Sequence, residues 1–187
     1  MLKEKIQKYF YYIKDSPDIK KSSLILLPNG YISKIWTPSK SETYPKDIIS
    51  MRRYFNFLYL LKIVGIIKNP YSVLIIYFKD EVAHYSVILP KFFKTPFFKE
   101  SDLQIGPVGT HINHRRKGLA SIAIDIIINK YSIPKRTFWY ITRSQNIASI
   151  KTCEKAKFIK YAIGGKQKLF SLPMSGVFKI TEINKGL

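Results

Sequence analysis

"HINHRRKGLASIAIDIII", His111 to Ile128, sets three cations against a glycine and then runs into apolar residues with helical spacing. A strand that ends in such a turn and feeds a helix leaves several backbone N–H groups that no carbonyl reaches. The aligned peptide dipoles add about half a positive charge at that end. Together these features make a place for an anion, and phosphate is the common guest. Gly118 puts no Cβ between the backbone and that guest. Ala120 keeps the same face low, and Arg115, Arg116 and Lys117 bring charge that neutral amides lack. The turn therefore predicts a site for phosphate or pyrophosphate. The patterns G-x-x-x-x-G-K-S/T and G-x-G-x-x-G are both absent, so neither of the common nucleotide loops applies.

On either side of this turn the chain alternates between strand and helix signals. "LQIGPVGTHI" (Leu103 to Ile112) reads as a strand, and Pro107 within it argues for a bulge or a strand edge. Gly118 to Tyr131 reads as a helix and "RTFWYIT" (Arg136 to Thr142) as a strand. "NIASIKTCEKA" (Asn146 to Ala156) reads as a second helix with Asn146 as its N-cap. "FIKYAIGG" and "KLFSL" close the chain as strands. Upstream, "SVLIIYF" and "VAHYSVIL" are β-branched runs joined by Lys79 to Glu81, which predicts a hairpin. "SLILL" and "YISKIW" flank "PNG" and predict another. Asp47 to Ile67 reads as helical, and Leu2, Ile6, Tyr9 and Ile13 share helical spacing at the start of the chain. The order implies an α/β (α+β) fold with a mixed sheet, in one domain over residues 1–187.

The bulk composition limits the partners. Lys and Arg total 32 against 12 Asp and Glu, a net charge of +20, which suits polyanions. Nucleic acid, an anionic membrane surface and phosphorylated small molecules all qualify, and a merely solvated basic surface explains the same excess. The cations are scattered outside Arg115 to Lys117, which weighs against a nucleic-acid module. With 13 Tyr and 12 Phe the chain is too rich in aromatics to be disordered. Cys153 is the one cysteine, so neither an internal disulfide nor a cysteine-cluster metal site is expected. That fits a reducing, cytoplasmic setting. Met1 is followed by charged and aromatic residues, so no secretory signal is expected. "FLYLLKIVGII" (Phe57 to Ile67) has about half the ~20 residues that cross a bilayer and is interrupted by Lys62. It reads as a core helix, with peripheral contact to an anionic membrane as the alternative.

"RRKGLA" (Arg115 to Ala120) resembles the R/Q-x-x-G-x-G/A signature of the GNAT superfamily of acyl-CoA-dependent N-acetyltransferases. "NIASIKTCEKAKF" (Asn146 to Phe158) is similar to that family's second motif, N-x-x-S/A followed by a short helix ending in E-K-x-G-F. One strand lies between the two, as the resemblance requires. The likeness is clear over residues 103–163. It implies a mostly antiparallel central sheet with splayed strands, flanked by helices. It implies acetyl-CoA or another acyl-CoA as cosubstrate and a small-molecule primary amine as acceptor; the basic charge would suit an acidic or phosphorylated one, such as a nucleotide-linked amino sugar. The amides of Arg116, Lys117, Gly118, Leu119 and Ala120 would hold the pyrophosphate. The backbone from Thr110 to Ile112 would pair with pantetheine, with Gly109 allowing close approach. Asn146 and Ser149 would reach the same arm from the far side. Two positions depart from the pattern: Cys153 stands where the family often has a tyrosine acid, and Lys157 where it has glycine. Cys153 is therefore either an acid or a packing residue.

Acyl transfer to an amine also needs a base. No carboxylate falls between Leu103 and Ile112, so the candidates are His84, His111 and His114, with Glu81 and Asp102 behind them. His114 is expected to face solvent or phosphate. Alternation puts Ser86 on the same face as His84. The Phe92 to Phe98 loop either covers an acceptor or packs the core. Two other outcomes stay open: a GNAT-like protein that binds coenzyme A without catalysis, and a basic nucleic-acid-binding protein.

Overall fold

The runs "SVLIIYF" and "EVAHYSVILP" do fold back on each other, and the sheet grows outward from that hairpin. The computed structural model describes residues 7–17, 25–168 and 176–184. Its strands are β1 (Tyr9–Asp15), β2 (Tyr31–Trp36), β3 (Ser72–Phe78), β4 (Glu81–Pro90), β5 (Leu103–Thr110), β6 (Thr137–Arg143), β7 (Ile159–Lys168) and β8 (Gly176–Ile183). Its α-helices are α1 (Arg52–Ile63), α2 (Leu119–Tyr131) and α3 (Ile147–Lys155). The strands form one sheet in the order β2-β3-β4-β5-β6-β1-β7-β8. All neighbours are antiparallel except β5 and β6, which are parallel.

Both faces of the sheet carry buried apolar residues, and alternation along the strands feeds three clusters, the third around Tyr9, Tyr11, Phe98 and Trp139. On one face Leu74 and Ile76 of β3 and Phe138 and Tyr140 of β6 pack with Leu119, Ala123, Ile124 and Ile127 of α2. On the other, Val73 and Ile75 pack with Val87, Leu89 and the Phe55, Leu58 and Leu61 stripe of α1. β3 is apolar along its length because neither face meets water. The Phe92 to Phe98 loop belongs to this second face. Phe98 stacks on Trp139 at 4.9 Å, and Phe92 is buried against the α1 core. The loop therefore packs the core.

Several sequence expectations are corrected. Tyr9–Asp15 is a strand, not part of a helix; residues 1–6 lie outside the described set. Its Tyr-rich alternation sends Tyr11 and Tyr12 to opposite cores, and β1 fills the slot between β6 and β7. Residues 25–28 form no strand, so the "PNG" hairpin is not made, although the turn is: Tyr31 N donates to the Pro28 carbonyl at 3.1 Å. β2 pairs with β3 instead. Lys46–Met51 is a 3-10 turn ahead of α1. "KLFSL" falls largely outside the described residues, and the strand read from "FIKYAIGG" runs on to Lys168 as β7. The bulge expected at Pro107 is present. β4 to β5 pairing runs from Ser86↔Val108 to Ile88↔Ile105, leaving Gly106 and Pro107 opposite Val87 alone.

Candidate functional site

β5 and β6 touch at only two pairs, Leu103↔Phe138 and Gln104↔Trp139, and then part. A cavity of about 690 Å³ fills the wedge between them. Val108, Gly109 and Thr110 form one wall and Tyr140, Asn146 and Ser149 the other. The mouth of the cavity is the turn from Arg115 to Ser121. Gly118 is the N-cap of α2 at φ +76°, a left-handed conformation that glycine adopts without strain. Arg116 is also left-handed, at φ +64°. The first paired amide of the helix is that of Ile122, which donates to the Gly118 carbonyl at 3.1 Å. Among the described residues the amides from Arg116 to Ser121 meet no backbone carbonyl. The dipole of the 13-residue α2 ends on the same spot.

The far wall is set by the cap of α3. Asn146 Oδ1 accepts from Ser149 N at 3.2 Å, which leaves the Asn146 amide nitrogen free to donate. Lys151 and Lys155, one turn apart on α3, add cations to the wall that already holds Arg115 and Arg116. Sequence reasoning missed these two lysines. Their i, i+4 spacing beyond the Asn146 cap was the available signal.

Two expected residues sit elsewhere. Lys117 is turned from the cavity; its Nζ donates to Tyr31 Oη at 3.1 Å and lies over the Tyr31 and Phe78 rings. Ile112 is not on the strand edge, because β5 ends at Thr110 and the chain tightens into a 3-10 turn there. Its side chain is exposed and lines neither cavity described here. Of the two surroundings expected for His114, solvent and the phosphate site, it has the second: it is buried, lines the wedge, and its Nδ1 is hydrogen-bonded to Tyr31 Oη at 2.8 Å.

A second cavity, about 340 Å³, lies at the rim where β4, β5 and the 3-10 turn before α1 meet. Gly109 and Thr110 line it as well as the wedge. Asp47, Ser50, His84, Tyr85 and His111 complete its polar lining. Asp47 Oδ2 accepts from Tyr77 Oη at 2.8 Å. His111 is exposed and held at the end of β5 by its own backbone N–H, which donates to the Ala83 carbonyl at 2.9 Å. Gly109 does permit close approach, but to Tyr85: a Cβ there would lie 2.5 Å from the Tyr85 ring.

His84 lines the rim cavity at its seam with the wedge, yet its surface is fully buried. Its Nδ1 bonds Thr110 Oγ1 and its Nε2 bonds Ser86 Oγ, each at 2.8 Å. Ser86 thus shares the face of His84, as alternation requires. Burial pushes the imidazole down to about 4, so it is neutral at physiological pH. Both nitrogens are engaged, which removes His84 as a direct base. Cys153 is also fully buried; its thiol donates to the Ser149 carbonyl at 3.0 Å and is pushed up to about 12 by burial. That is the behaviour of a packing residue, not of an acid. Asp102 is buried and accepts from Lys99 N, Thr137 N and Trp139 Nε1, so it ties the loop to β6. Among the described residues no group of three or more His, Cys, Asp or Glu gathers to hold a metal ion. No described helix is long and apolar enough to cross a membrane.

No protein-family model and no curated protein matches the sequence. Solved structures do. A functionally unknown conserved protein from Staphylococcus epidermidis is 10% identical with a TM-score of 0.55, over 84% of this chain and 59% of that one. A tandem GNAT protein from the clavulanic acid biosynthesis pathway is 12% identical with a TM-score of 0.59, over 84% of this chain and 51% of that one. An acetyltransferase of the GNAT family from Colwellia psychrerythraea is 10% identical with a TM-score of 0.53, over 82% and 53%. This chain spans between about half and three-fifths of the length of these structures. At such identities the likeness is one of fold, and the fold is that of the GNAT acetyltransferases.

Proposed function

We propose that the protein transfers an acyl group from an acyl-CoA, such as acetyl-CoA, to the primary amine of a small acceptor. The observation that carries this reading is the wedge between β5 and β6, opening onto unpaired amides at the start of α2. An extended, amide-bearing molecule with a diphosphate fits both features. The amides of Arg116 to Ser121 would take the diphosphate oxygens, with Arg115 and Arg116 adding charge. The β5 edge at Val108 to Thr110, where Arg115 Nε donates to the Thr110 carbonyl at 3.4 Å, would pair the amides of the pantetheine arm, with Asn146 and Ser149 opposite. The cosubstrate supplies a thioester, an acyl carbon already activated for attack.

The acceptor would enter from the rim cavity, since Gly109 and Thr110 are common to both spaces. His111, the exposed one of the two histidines lining that cavity, would take the amine proton. An amino sugar suits the size of the cavity. A nucleotide-linked one would have to seat its phosphates outside it, because no Lys or Arg lines the rim cavity among the described residues.

Two measurements test the reading. Acetyl-CoA should raise the melting temperature, and a panel of amines with acetyl-CoA should release free thiol. An unchanged melting temperature overturns the placement of the site. Binding without thiol release for any amine would mark a coenzyme-binding protein that does no chemistry.

A further inference from the structure

A neutral histidine buried in the middle of a sheet displaces an aliphatic side chain that would pack better, and it must find a partner for each nitrogen. His84 finds two hydroxyls and no charge. His84 lines the rim cavity, and its bond to Thr110, whose Oγ1 is 2.8 Å from Nδ1, also ties it to the wedge. Thr110 in turn lines both the wedge and the rim cavity. A threonine hydroxyl on a strand can swing between rotamers, but a bond to a fixed imidazole holds it in one. When Thr110 donates its proton to Nδ1, both lone pairs of its oxygen are left for the cavity. Nε2–H then donates to Ser86 Oγ, which completes the buried end of the chain.

We infer that the Thr110 hydroxyl accepts a hydrogen bond from the attacking amine and aims it at the acyl carbon, and that His84 is the positioning residue that fixes this hydroxyl. The inference rests on the acyltransferase reading above. In the step itself a bond forms between the amine nitrogen and the acyl carbon. The carbon–sulfur bond breaks with its electron pair on sulfur, and the proton lost by nitrogen goes to His111. Thr110 and His84 end with the protons they began with. A poorly aimed amine loses rate even where both substrates bind.

The test compares Thr110→Val, Thr110→Ser, His84→Leu and the double variant Thr110→Val/His84→Leu, with acetyl-CoA and glucosamine, putrescine or glycinamide as acceptor. The expected result is a fall in kcat of about 30-fold for Thr110→Val with the acceptor KM changed less than about threefold. Thr110→Ser should restore kcat to within about threefold of the parent, because it returns the hydroxyl. The double variant should be no slower than the worse single one, since the two groups act as a unit. The melting-temperature rise with acetyl-CoA checks that each variant folds and binds. If His84→Leu fails that check, the Val and Ser pair at Thr110 decides alone. A parental kcat in Thr110→Val, or losses that simply multiply in the double variant, overturns this inference and leaves the acyltransferase reading standing. Coenzyme binding with no turnover of any of the three amines by the parent protein overturns both.

Discussion

The two cavities that meet at Thr110 differ in charge as much as in size. The wedge carries Arg115, Arg116, Lys151 and Lys155 and no carboxylate among its described lining residues. The rim carries Asp47 and neither lysine nor arginine. A net charge of +20 therefore says little about the second space. Cations gather where a diphosphate would lie, and an ammonium entering from the other side meets one carboxylate instead of a repelling wall. The two spaces also differ in origin. The wedge is assembled from one continuous stretch, β5 to α3, whereas the rim joins the 3-10 turn before α1 to β4 and the end of β5.

The largest effect should fall on the wedge. Gly118→Glu forces a left-handed φ on a carboxylate-bearing residue at the proposed diphosphate site. We expect acetyl-CoA affinity to drop by at least about 3 kcal/mol, more than 100-fold, with the loss of the thermal shift as readout. A shift that survives would empty the wedge of its assigned role. Next comes the seam. His84 has its folded value, about 4, below the ordinary histidine value. The unfolded chain thus binds more protons between about pH 6.5 and 4, so stability is complete above that window and is lost as pH falls through it. The loss should reach up to about 3 kcal/mol, seen as a falling melting temperature that His84→Gln flattens. A parallel acid profile in both proteins would contradict the burial argument.

On the rim, Gly109→Ala must push the Tyr85 ring aside and should cost about 1–2 kcal/mol in chemical denaturation. Salt should separate the two spaces more gently. Raising ionic strength from about 0.05 to 0.5 M should weaken acetyl-CoA binding several-fold while the KM of a simple amine moves less than about twofold. Equal salt sensitivity would erase the contrast. The smallest effect is expected at Cys153: Cys153→Ala should leave turnover within about twofold, and the native thiol should resist alkylation until the protein unfolds.

The legibility of the sequence follows the same divide. The bulge at Pro107, the start of α2 at Gly118 and the Asn146 cap are local signals, each set by a few neighbouring residues, and all three stand as the sequence implies. The rim depended on contacts that no local pattern carries. Tyr85 over Gly109 and Asp47 beside Tyr77 arise only when distant elements meet. β1 was misread because Tyr9 and Ile13 satisfy a helical spacing while "YFYYI" also satisfies a strand. What decides between them is a slot between β6 and β7, far along the chain. The burial of His114 at the wedge was hidden for a similar reason, since Tyr31 of β2 draws it inward.

The slot filled by β1 has a consequence for how the molecule comes together. Tyr9 pairs with Arg143 and Gly164, so the earliest strand of the sheet must wait for partners made more than a hundred residues later. Such pairing is slow to nucleate. During synthesis the half-sheet from β2 to β5 can assemble first, while β1 trails as an unmatched ribbon. Trimming the chain as far as Asp15 would split the sheet down its interior rather than shave its edge.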